Sequence, residues 1–206
     1  MSACSRACHD LPVIEDDIYG DTHFGDVRPK PLKAWDRDGR VMLCSSFGKT
    51  LCPGFHVGWT VPGRYLEPIR RLKFINTMGT PRILQKTIAE FLRDGGYDHH
   101  LRTLRRAYRE HLHAFLHGMQ RHFPDGTRFS RPQGGNYLWV EFPTKVDTLR
   151  LRRDALKHQI NTAPGSLFSA VKDRYRNCLR MSCSQPWSDE MDAALQTLGQ
   201  LVKQQL

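Results

Sequence analysis

Lys49 stands in Ser45-Ser46-Phe47-Gly48-Lys49-Thr50, just past an apolar run and ahead of Pro53-Gly54. Two chemistries use a lysine so placed. A P-loop cradles phosphates with the backbone N–H groups of a glycine-rich turn, which needs a glycine five residues before Gly48. Position 43 is Leu, so that cradle is missing. A Schiff-base lysine instead needs a strand end, partial desolvation and a carbonyl held against its amine. The small polar neighbours Ser45 and Ser46 suit the second setting, because hydroxyls there can grip a phosphate.

A carboxylate and a phenol extend the set. Asp16 and Tyr19 lie three apart after the apolar run Leu11-Pro12-Val13-Ile14, and Lys49 follows the next such run about thirty residues on. A pyridoxal phosphate site needs a carboxylate at the pyridine nitrogen, which keeps the ring protonated as an electron sink, and commonly a phenol near the ring oxygen. Asp17 competes with Asp16 for the first role. Strand alternation points the two oppositely, so one faces the ring, and the step of three to Tyr19 selects Asp16.

Such groups converge where strand ends share one edge of a parallel sheet. The apolar runs predict buried strands at 11–14, 41–46 and 57–61, with residues 20–40 mostly loop. Periodicity predicts helices over 65–75, 81–92 and 97–122. Beyond residue 126 the pattern becomes α+β: strands at 127–130, 136–142 and 177–183, a helix at 147–158, and a final helix capped by Ser188. The change of character near residue 100 divides the chain into 1–100 and 101–206. Arg102, Arg105, Arg106 and Arg109 read as the wet face of the long helix.

Composition bounds the function. With 206 residues and 39 % hydrophobic content the chain can build a real core. No apolar run reaches the roughly 18 residues of a membrane helix, and no secretory signal opens the chain, so a cytoplasmic location is expected. The net charge of +10 admits nucleic acid, but the basic residues are dispersed rather than gathered in one patch. The six cysteines form no CxxC pair or zinc spacing, and His113 and His117 lack the glutamate of a zinc helix. No metal is expected, and the cysteines read as reduced thiols.

Val13-Ile14-Glu15-Asp16-Asp17-Ile18-Tyr19-Gly20, the lysine segment and Pro53-Gly54-Phe55-His56-Val57-Gly58-Trp59 together resemble class I/II aminotransferases of fold type I. The nearest variants are the aminotransferase-like domain of MocR/GntR-type regulators and the aminoadipate-type aminotransferases. Pro132-Gln133-Gly134-Gly135-Asn136, Ala163-Pro164-Gly165-Ser166 and Asn177-Cys178-Leu179-Arg180 carry the likeness through the rest of the chain. The resemblance implies an α/β fold: the C-terminal part of a large cofactor-binding domain, with an incomplete sheet, then a smaller α+β domain.

By the same resemblance Lys49 holds pyridoxal 5'-phosphate and later moves a proton at the substrate α-carbon. Asp16 faces the ring nitrogen, Tyr19 the ring oxygen, and Ser46 the phosphate. Arg180 forks the α-carboxylate of an amino acid or 2-oxo acid. The apolar flanks Leu179 and Met181 suggest that Arg180 points inward. Two positions depart from the family pattern. His56 stands where relatives carry a phosphate-binding arginine, and Gly48 where many carry a serine.

The family's glycine-rich phosphate turn, stacking ring and early strands have no counterpart here. The chain is therefore expected to be the C-terminal portion of a larger protein, with residues 1–10 the remnant of a preceding helix. Relatives form homodimers, which implies one here, and nucleic acid would be met only through an upstream domain. The main expectation is an aminotransferase. The alternatives are an effector-sensing regulator domain, an inactive fragment and a DNA-binding module.

Overall fold

The structure, a computed structural model, describes residues 10–206. The expected helix remnant at residues 1–10 thus lies almost wholly outside the described residues. The chain divides into two compact units, residues 1–105 and 106–206.

The first unit carries a three-stranded sheet in the order β1-β2-β3, with β1 Val13–Asp16, β2 Val41–Ser46 and β3 Gly58–Val61. β1 and β2 are parallel, with Asp16 level with Cys44; β2 and β3 are antiparallel, with Ser46 level with Gly58. Glu15 and Asp16 form the C-terminal end of β1, as the acidic cluster after the apolar run implies, and Glu15 is held on one face. Its carboxylate accepts the N–H groups of Leu32 and Lys33 and so starts the 3₁₀ turn Leu32–Trp35. That turn and another at Gly20–Thr22 break up the expected loop.

Two helices follow, α1 Leu66–Thr77 and α2 Arg82–Arg93. Pro81 stands just before α2, where its missing N–H costs nothing. Of the three strands expected to be buried, β2 has no exposed residue and buries Leu43, whereas β1 and β3 are largely open. Ile14 is 73 % exposed, every residue of β3 is exposed, and α1 has no buried residue, with Phe74 67 % exposed. Apolar character marks a face that wants cover, and among the described residues nothing covers these faces.

α3, Gly96–His122, begins in the first unit and continues into the second. Arg105 departs from the wet face predicted for it. It is half-buried, and its Nε donates to the Asp21 carbonyl at 2.7 Å.

The second unit has a four-stranded sheet in the order β4-β5-β7-β6: β4 Arg128–Phe129, β5 Tyr137–Glu141, β6 Ala163–Pro164 and β7 Cys178–Ser182, all pairs antiparallel. Strand alternation makes this sheet two-faced. Leu138, Val140 and Leu179 have no exposure and join Leu112, Phe115 and Met119 of α3 in the core. The same core takes Leu151 and Ala155 of α4, Thr148–Leu156, and Leu195, Leu198 and Val202 of α5, Asp189–Lys203. Asp147 caps α4 through the N–H groups of Leu149 and Arg150, and Ser188 caps α5 through that of Met191. Cys178 and Cys183 are buried and, with Cys44 and Cys52, free of disulfides.

Candidate functional site

Five of the six expected site residues belong to the first unit, and sheet register gathers them at one edge. Parallel pairing sends the C-terminal ends of β1 and β2 the same way. Asp16 ends β1, and Tyr19 starts the Gly20–Thr22 turn, its carbonyl accepting the Thr22 N–H and hydroxyl at 2.9 and 2.7 Å. Ser46 ends β2, with Lys49 in the turn that follows. His56 comes two residues before Gly58, the partner of Ser46, at the other end of the same loop. The Phe47 N–H closes that loop on the Val57 carbonyl at 3.0 Å, and the Leu51 and Cys52 N–H groups tighten it on the Phe47 carbonyl at 2.8 and 3.1 Å.

The two neighbouring aspartates have different surroundings. Asp17 Oδ2 accepts from Arg28 at 2.5 Å, and Arg28 Nε reaches Asp21 Oδ1 at 2.6 Å. Burial alone would lower the Arg28 pKa, but Asp21 and Asp17 hold it above the ordinary guanidinium value. Gly20 permits this cluster, because a Cβ there would run into the Asp17 carboxylate and the Arg28 guanidinium. Asp16 is exposed, and its carboxylate takes only the local Ile18 N–H, at 3.3 Å. Of the pair, Asp16 is thus the carboxylate that no cation occupies among the described residues.

Lys49 is exposed, with no ion pair or hydrogen bond among the described residues. Its neighbour Thr50 is buried: the Tyr97 hydroxyl donates to Thr50 Oγ1 at 2.8 Å, and His100 Nε2 meets the Thr50 carbonyl at 2.7 Å. A P-loop would need that hydroxyl for a metal ion, so its engagement argues against one. At Gly48 a Cβ would meet nothing closer than Ser46 Oγ, at 3.6 Å, leaving space beside the lysine. His56 is exposed and takes a left-handed backbone, φ 49°.

These donors fit a cofactor with an aldehyde, a basic ring nitrogen and a phosphate. The edge offers an uncommitted amine at Lys49, an uncommitted carboxylate at Asp16, the Ser46 hydroxyl, and open backbone at Gly48.

Arg180 belongs to the second unit. Leu179 and Met181 take alternate positions on β7, so Arg180 lies on the open face of the sheet rather than inward. Its guanidinium carbon lies 4.6 Å from the Tyr137 ring centroid and 4.4 Å from the Phe168 ring centroid. No carboxylate pairs with it among the described residues. The rings hold the guanidinium through its charge, and no acceptor takes its N–H groups among the described residues, which leaves them for a forked acid.

Arg28, Tyr97 and His100 escaped sequence reasoning. The only signal was the i, i+3 spacing of Tyr97 and His100 at a helix start, and it does not say what they touch.

Residues 5–198 match the family described as Aminotransferase class I and II. The chain is 39 % identical over 94 % of its length to the uncharacterized HTH-type transcriptional regulator YjiR of Escherichia coli, covering 41 % of that protein. It is 32 % identical over 94 % of its length to the 2-aminoadipate transaminase of Thermus thermophilus, covering 49 % of it. Among solved structures, LysN, the alpha-aminoadipate aminotransferase of Thermus thermophilus complexed with N-(5'-phosphopyridoxyl)-L-leucine, superposes with a TM-score of 0.89 at 30 % identity. That match covers 98 % of this chain and 52 % of LysN. The chain thus spans about half, or less, of the length of these relatives.

Proposed function

Because the chain belongs to the class I and II aminotransferase family, with the α/β architecture of the C-terminal part of fold type I enzymes, we propose that it carries the lysine-bearing part of a pyridoxal 5'-phosphate site. The reaction is the transfer of an amino group between an amino acid and a 2-oxo acid. The observation that carries this reading is the uncommitted Lys49 amine at the same sheet edge as the uncommitted Asp16 carboxylate.

Once bound, pyridoxal phosphate supplies an aldehyde for condensation with amines and a ring that draws electrons from the substrate α-carbon. Lys49 holds the aldehyde carbon and afterwards moves a proton at the α-carbon. Asp16 keeps a proton on the ring nitrogen, and Tyr19 donates to the ring oxygen. Ser46, the Gly48 N–H and His56 hold the phosphate, with His56 gripping more firmly when protonated. Arg180 orients the substrate through its α-carboxylate. Residues 1–100 supply the cofactor side and 101–206 the smaller substrate-binding domain. The working protein is a cytoplasmic homodimer. Among the described residues no helix is long and apolar enough to cross a membrane.

The likeness to YjiR favours a second reading, in which the same groups sense an amine in a regulator without turnover. Titration of the purified chain with pyridoxal phosphate separates the readings. A visible absorbance band that vanishes in Lys49→Ala supports the site, and no band in the wild type refutes both readings. With the band present, release of 2-oxo acid from an amino acid marks the enzyme. A band that answers amines with no oxo acid formed marks the sensor.

A further inference from the structure

The lysine loop is gripped by residues that the chemistry above does not use. Tyr97 and His100 lie one turn apart at the start of α3, and both bind Thr50, one through its hydroxyl and the other through its carbonyl. Thr50 is only 3 % exposed. The Tyr97 ring also packs edge-on against Phe47, with centroids 5.8 Å apart. Phe47 and Thr50 flank Lys49 on either side, so α3 holds the turn at both of its shoulders.

The contact continues away from the lysine. The Tyr97 hydroxyl lies 3.5 Å from Asp21 Oδ2, and Asp21 is bound by Arg28, which also binds Asp17. A chain of polar contacts therefore runs from the neighbour of Asp16 to the neighbour of Lys49.

We infer that Tyr97 is a positioning residue for Lys49, fixing where the lysine Cα sits relative to the end of β1. The inference rests on the reading of Lys49 as the reactive amine. A lysine side chain is a flexible four-carbon stem, so the placement of its root decides which poses reach the carbonyl. Burial pushes the Tyr97 phenol up, so it stays a hydrogen-bond donor at neutral pH. Without that hydroxyl the buried Thr50 Oγ1 loses its donor and the turn is free to rotate about the His100 contact.

The test uses the full chain with Tyr97→Phe, Thr50→Val and Thr50→Ser. The first readout is reductive trapping. The Lys49 amine condenses with pyridoxal phosphate, losing water, and borohydride adds hydride to the resulting C=N bond, leaving a stable secondary amine found by mass spectrometry. Tyr97→Phe and Thr50→Val lower the saturating trapping rate about tenfold or more, because a small misplacement is costly in rate. The pyridoxal phosphate concentration at half-saturation stays within about twofold, since phosphate and ring contacts remain. Thr50→Ser, which keeps the hydroxyl, restores the wild-type rate.

The second readout is amide exchange at Leu51 and Cys52, which needs no cofactor. It rises in Tyr97→Phe and Thr50→Val while exchange in α1 is unchanged. Wild-type trapping and exchange in both variants overturns the inference. If the wild type is not trapped at Lys49, the functional reading fails instead. Exchange alone then decides the positioning, upheld by faster amides at 51 and 52 and overturned by unchanged ones.

Discussion

Asp36 fastens the start of β2, the strand that leads to Lys49, and its replacement by Asn has a calculable cost. The side chain is 4 % exposed. Oδ2 accepts from Lys33 Nζ at 2.8 Å and the Val41 N–H at 3.0 Å, while Oδ1 accepts the Arg40 N–H at 2.9 Å. Lys33 also donates to the Val41 carbonyl at 2.8 Å. Burial raises the Asp36 pKa, but the bonds from Lys33 and the Val41 and Arg40 N–H groups outweigh it and bring the carboxyl to about 2. Relative to the ordinary value of 3.8, that shift corresponds to about 2–3 kcal/mol at ~1.4 kcal/mol per pH unit.

Asp36→Asn keeps the shape and the Oδ1 acceptor but turns an NH₂ group toward the Lys33 ammonium. The expected loss at pH 7 is about 2–3 kcal/mol, or roughly 5–10 °C in Tm for a chain of this length. The sign of the pH effect follows from the depressed folded-state pKa. The stabilisation is full above the ordinary value of 3.8 and is lost as pH falls through about 2. Urea and thermal unfolding followed by circular dichroism, at pH 7 and down an acid series, measure both effects. The wild type loses its advantage over the variant between about pH 4 and pH 2. A variant within about 0.5 kcal/mol of wild type at pH 7, or an advantage that persists at the acid end, refutes the reasoning.

Leu179→Ala empties a fully buried position of β7, between β5 and β6 in the sheet, and is expected to cost about 3–5 kcal/mol in urea unfolding; a loss below about 1 kcal/mol would show that the core closes over the gap. Burial pushes the Cys183 thiol up to about 12, so iodoacetamide at pH 8 should label Cys183 in urea and leave it untouched in the native chain. Equal labelling by mass spectrometry in both states contradicts its placement. Gly48→Ser fits the space beside Ser46 and adds a hydroxyl to the proposed phosphate site, so pyridoxal phosphate should bind at least about fivefold more tightly in an absorbance titration. Unchanged affinity would remove the phosphate from that side of the loop.

Local signals were the legible part of this molecule. Ser188 and Asp147 announce helix starts through side chains that reach only two or three residues ahead. The alternation of Leu138 and Val140 with Tyr137 and Trp139 marks one strand with two unlike faces. The order of motifs placed the chain in its family. What stayed hidden depends on partners distant in sequence. Arg28 lies in a stretch without periodicity, and its role arises only when two aspartates meet it. Arg105 reads as a surface charge until the Asp21 carbonyl comes into reach. β6 is two residues long, too short for any pattern. The exposure of β1 and β3 was equally hidden, because apolar sequence reports a preference for cover and not its presence.

The two open edges of the three-stranded sheet have a colloidal consequence. β1 and β3 each have one paired side, and among the described residues their outer backbone groups face no further strand. Such rows template pairing with other chains, and Ile14, Trp59 and Val61 add adhesive surface. Pro12 and Pro62 bracket these strands and confine each to four residues, since proline cannot donate to an incoming strand. The net charge of +10 opposes the approach of copies at low ionic strength, and salt removes that repulsion. The shelf life of concentrated solutions is therefore set by ionic strength: light scattering should rise on adding salt, the reverse of a protein whose self-association is held by ion pairs.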